Sequence, residues 1–148
     1  MKRLLWMATF YALGCSTLPP SDAQITRIQT RIFPKATKEA IFDHFKSSLN
    51  RQRYSIKNAE LMDGTLVASR KLPEEGGASE RHEEIIINVN PSTHGVNTRV
   101  SIQVITHYSL GGTYGAEVVS PKYYERFYAQ MLKNRDTTRI PSPRTLGK

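Results

Sequence analysis

The chain has 148 residues, a formal charge of +8 and one cysteine. That length suits one compact domain and excludes two, and a single thiol excludes an internal disulfide, so the fold must rest on its core. The basic balance points to anionic neighbours such as lipid headgroups, lipopolysaccharide phosphates, cell-wall polymer or nucleic acid, or else serves solubility alone.

Met1-Lys2-Arg3 is a short positive start, and Leu4 to Leu13 carries no charge. About ten apolar residues match the core of a secretory signal. They are too few for a membrane-spanning helix, which needs roughly 20. Ala12-Leu13-Gly14-Cys15 then resembles the lipobox of bacterial lipoproteins. The resemblance implies cleavage before Cys15 and a thioether to diacylglycerol at that thiol. Residues 1–14 are then the signal peptide, and 15–24 are the lipidated cysteine and a tether, "STLPPSDAQ", stiffened by Pro19-Pro20. Loss of Lys2 and Arg3 leaves a charge of roughly +6. Ser16 after the cysteine is the sorting-neutral case in that family. It implies the periplasmic face of an outer membrane, if the host has one. Export argues against a nucleic-acid partner.

A single domain is expected over 25–135. Ile25–Phe33 alternates, with Ile28, Thr30 and Ile32 on one face, and reads as a half-buried strand ended by Pro34. Thr37 is placed to cap a helix over Lys38–Gln52, whose apolar positions Ile41, Phe42, Phe45 and Leu49 recur at helical steps. Tyr54–Glu60 and Thr65–Leu72 flank the hairpin signal Asp63-Gly64. In Glu83–Asn90, Ile85, Ile87 and Val89 alternate against Ile86 and Asn88; in Thr98–Tyr108, Val100, Ile102 and Val104 alternate against Arg99, Ser101 and Gln103. These two runs, joined by "NPSTHGVN", are expected as adjacent antiparallel strands with one apolar face. Ser109–Val119, with three glycines, reads as a loop. Ser120-Pro121 starts a last helix over Lys122–Arg135, with Tyr124, Phe127, Tyr128 and Met131 in one stripe. Residues 136–148 read as a flexible basic tail.

The fold class expected is α+β: a two-layer sandwich with two helices on one face of an antiparallel sheet, in the order β-α-β-β-β-β-α. The lipobox, "FPKATKEAIFDHFKSSL" leading to "YSI", "DGTLVASR" and "SPKYYERFYAQML" together resemble helix-grip lipoprotein domains. The best known of these belong to the C subunit of the outer-membrane β-barrel assembly machinery. Arg53 stands just before Tyr54, where such chains often carry glycine. The resemblance implies a scaffold-like, non-enzymatic role.

The residues themselves name no reaction. His82-Glu83-Glu84 begins like a zinc motif, but no histidine stands four residues after the first, and strand neighbours point to opposite faces. Ser109 lacks a nucleophile elbow, and the nearby glycines lack phosphate-loop spacing. No catalytic, cofactor or metal residue is therefore assigned. Tyr108, Tyr114 and Tyr124 are the candidate binding surface, since tyrosine joins apolar area to a polar tip; the competing account is that most of the tyrosines close the core. The function expected is a membrane-anchored binding or scaffold module that works with other envelope proteins. The alternative is a carrier or sensor that holds a small apolar or anionic envelope ligand between sheet and helix.

Overall fold

A computed structural model describes residues 19–74 and 78–146. The leader, the lipobox and Cys15 lie outside the described residues.

The first element departs from expectation. Asp22–Gln29 is a helix, α1, and the strand β1 covers only Thr30–Pro34. A capping box decides it. Ser21 Oγ accepts the Gln24 N–H while Gln24 Oε1 accepts the Ser21 N–H at 2.8 Å. Ile25 and Ile28 then share a helical face, which competes with the alternation that suggested a strand. The strand faces also reverse. Phe33 and Arg31 turn inward and Ile32 is only half-buried. The Arg31 guanidinium lies 4.5 Å from the centre of the Tyr128 ring and donates to the carbonyls of Ile28 and Thr30. Because α1 begins at Asp22, residues Asp22–Gln24 of the expected tether are helical.

Helix α2 runs Lys38–Arg51, with Thr37 Oγ1 accepting the Ala40 N–H. Its end is a Schellman turn: Tyr54 N–H donates to Leu49 O and Arg53 N–H to Asn50 O, both at 3.0 Å. Arg53 occupies the position usually held by glycine, at φ 63°. Strands β2 (Ser55–Glu60) and β3 (Thr65–Leu72) follow, joined by a turn that closes on Gly64 at φ 73°. A Cβ at Gly64 would stand 2.1 Å from the Val89 carbonyl oxygen, so the turn requires glycine.

Strands β4 (Ala78–Ser92) and β5 (Gly95–Tyr108) form the expected antiparallel pair, with Ile85 opposite Ile102 and Ile87 opposite Val100. They are longer than the sequence suggests, and only Thr93 and His94 remain between them. The expected loop at 109–119 contains a further strand, β6 (Thr113–Glu117), paired with Gln103–His107 of β5. Its residues lack apolar alternation; backbone pairing alone makes it a strand. Helix α3 is Pro121–Met131. The expected tail is not frayed over its described part. Ile140 is buried, and β7 (Arg144–Thr145) pairs with Arg31 and Ile32.

The sheet is antiparallel, in the order β2-β3-β4-β5-β1-β7, with β6 beside β5. The two strands share one edge of β5: β1 takes Gly95–Arg99 and β6 takes Gln103–His107. Leu66, Ala68, Ile85, Ile87, Val100 and Ile102 from the sheet meet Ile41, Phe45 and Leu49 of α2 and Phe127, Tyr128 and Met131 of α3. Each large side chain so buried contributes about 1.5–3 kcal/mol. The protein is thus an α+β sandwich, with α1, β6 and β7 added to the expected order.

Candidate functional site

The inner face of the sheet turns polar at one end. On β4, Glu83 precedes Ile85, Ile87 and Val89 on the same face and is buried to 1% exposure. On β3, Arg70 follows Leu66 and Ala68 in the same way and pairs across the strands with Glu83. Period-two alternation carries both charged groups under the helices.

Glu83 is fully engaged. The Tyr54 hydroxyl donates to its Oε1 and the Tyr123 hydroxyl to its Oε2. Arg70 Nη2 stands 3.3 Å from Oε1 and 3.4 Å from Oε2. The same guanidinium lies over the Tyr54 ring, 4.5 Å from its centre. Burial, the hydrogen bond to Glu83 and the Glu83 charge push the Tyr123 phenol up to about 12. The same causes raise Tyr54 further. Both phenols therefore remain protonated donors at neutral pH. Arg70 Nε is buried without a hydrogen-bond partner.

This cluster forms the floor of a cleft of about 200 Å³, walled by Arg126, Phe127 and Gln130 of α3. Past Arg70 and Gln130 the cleft continues into a hollow of about 400 Å³ lined by Ser48, Arg51, Gln52 and Lys133. The ends of α2 and α3 meet there. Met131 O accepts from Ser48 Oγ at 3.0 Å and lies 2.8 Å from His44 Nε2. Burial lowers the His44 pKa, against a raising contribution from the Met131 carbonyl; Arg51 and Arg135 lower it further. Arginine, lysine and amide donors on the walls suit an anion. The two helix C-termini partly offset that field.

The candidate tyrosines do not form one surface. Tyr124 is fully buried; its hydroxyl accepts from the Ile102 N–H at 3.2 Å and from Gln29 Nε2 at 3.3 Å. It belongs to the core, as its place in the apolar stripe of α3 requires. Tyr108 and Tyr114 are exposed on the β5–β6 hairpin, beside a fully exposed Leu110 at its tip. Glu83 was legible only as a zinc-motif fragment. The better signal was its position two residues before Ile85, on the apolar face. Its neighbour His82 points outward, 3.1 Å from Glu80 Oε1. Among the described residues no group of three or more His, Cys, Asp or Glu side chains is placed to hold a metal ion. Nor is any helix there long and apolar enough to cross a membrane.

No protein-family model matches the chain, and no curated protein matches it.

Proposed function

We propose that this protein is a lipid-anchored lipoprotein of the outer membrane, facing the periplasm, whose single domain serves a cell-envelope assembly as a binding or scaffold module without catalysis. One observation carries the reading. Ala12-Leu13-Gly14-Cys15 follows a charged start and an apolar run, and six residues past the cysteine stands Ser21, the cap of the first helix. A domain that begins so close to its lipid works at the bilayer surface. The engagement of both Glu83 oxygens by Tyr54, Tyr123 and Arg70 makes this carboxylate a poor general base.

The test is Cys15→Ser in a diderm host. The variant is expected to fold, to keep its leader and to take up no labelled palmitate. Palmitate entering the variant overturns the assignment. Crosslinking in intact envelopes then addresses the assembly, and failure to recover any protein reproducibly counts against the scaffold role. A second reading, a carrier or sensor for a small anionic envelope ligand, is favoured by the cation-walled cleft beside Arg70. Inorganic phosphate that leaves the Tyr54 and Tyr123 ring resonances unmoved at every concentration counts against it.

A further inference from the structure

Between α1 and the start of α3 runs a groove of about 460 Å³, lined by Pro19, Pro20, Gln24, Ile28, Val119 and Pro121. A second hollow shares Gln24, Ile28 and Pro121 and extends it along α1 past Arg27. Val119 is 37% exposed, Ile28 is half-buried, and the three prolines are exposed. We propose that this groove is the face the domain turns to the bilayer, and that its occupant is the lipid surface itself, at the level of headgroups and upper acyl chains. The inference rests on the reading of Cys15 as the anchor.

Chain length makes the argument. Three residues lie between Cys15 and Pro19, which makes four steps along the chain. A fully extended chain covers about 3.3–3.6 Å per residue, so a lipid-bearing Cys15 stands at most about 14 Å from Pro19. Pro19 is itself a wall of the groove. The membrane therefore lies within that reach of this face. Leu110 is separated from Val119 by the length of β6, on the order of 17 Å for five residues. Met62 lies in the β2–β3 turn, at the far edge of the sheet.

Charge agrees. The second hollow is lined by Arg27 and Arg31 against Glu125, a net positive balance that suits headgroup phosphates. The β5–β6 tip has carboxylates on the neighbouring strand end instead: Ala78 pairs with Tyr108, Glu80 pairs with His107, and Glu74 precedes them.

The test uses the full chain, extracted from envelopes and reconstituted in phosphatidylcholine–phosphatidylglycerol vesicles. Val119→Cys, Leu110→Cys and Met62→Cys are each labelled with a polarity-sensitive fluorophore. Brominated acyl chains then quench any label that touches lipid. A lipidated Cys15 offers no thiol, so each variant must take one label. Quenching several-fold stronger at 119 than at 110 and 62 is the expected result. With one label per chain, equal quenching at all three positions, or strongest quenching at 110, overturns the groove assignment and leaves the anchor standing. Energy transfer between labels at 119 on different copies, in place of lipid quenching, gives the groove to a second copy and overturns it too. Two labels per chain show a free Cys15, and both the anchor and the inference built on it fall.

Discussion

The hydroxyl of Tyr124 accepts the backbone N–H of Ile102 at 3.2 Å, on the edge of β5 away from β4, where no strand pairs with this residue. β1 stops at Arg99 and β6 resumes at Gln103, so the edge between them is closed by side chains and a loop. Val118 N–H donates to Ile102 O at 2.8 Å, and Gln29, fully buried, donates to Glu117 at 2.7 Å and to Tyr124. Tyr124→Phe keeps the ring and leaves the Ile102 N–H unpaired. The expected cost is about 1–3 kcal/mol, the usual price of a buried unsatisfied donor. Urea denaturation checks it through a lowered midpoint with unchanged slope; an unchanged midpoint shows that the seam does not depend on this hydroxyl.

Glu83 and Arg70 are expected to be strongly coupled. Glu83→Ala strands a partly buried guanidinium and two phenols, at a cost of about 3 kcal/mol. Arg70 is 34% exposed, so water softens the loss when it is replaced instead. A double-mutant cycle with Arg70→Ala should show the paired change costing clearly less than the two single changes together. Simple additivity would mean that the ion pair contributes nothing specific.

The buried phenols set an alkaline limit. Tyr54, Tyr123, Tyr124 and Tyr128 are all raised above their ordinary value of 10, chiefly by burial, and Tyr123 reaches about 12. The folded protein thus keeps protons that the unfolded chain gives up above about pH 10. Their contribution is fully present below that pH and is lost as pH rises through each folded-state value, which for Tyr123 is about 12. Denaturation midpoints measured from about pH 9 upward should fall, and Tyr123→Phe should flatten the fall. An identical slope in the variant would remove Tyr123 from the account.

Arg53 closes α2 in the left-handed region, which a side chain enters only with strain. Arg53→Gly is expected to stabilise by about 0.5–1 kcal/mol, the relief of strain outweighing the freedom glycine adds to the unfolded chain. Calorimetry should show a higher Tm. A lower one would mean that the arginine side chain contributes more than its backbone conformation costs.

Where residues repeat with one period over a long run, their order alone determined the structure. Ile85-Val89 and Val100-Ile102 were legible as a strand pair, and Ile41-Leu49 and Tyr124-Met131 as helix faces, because burial on one side selects a single repeat. Thr37 and Asp63-Gly64 marked an end and a turn through local chemistry that needs no distant partner. Tertiary structure decided the rest. Ile25 and Ile28 satisfied two periods at once, and only Gln24 reaching back to Ser21 made the segment helical. β6 and β7 have no apolar signature; they are strands because β5 and β1 offer them unpaired backbone. Glu83 gained its role from Tyr54, Arg70 and Tyr123, which lie 29, 13 and 40 residues away along the chain. A buried carboxylate needs donors gathered from separate elements, and no local pattern records which elements will meet.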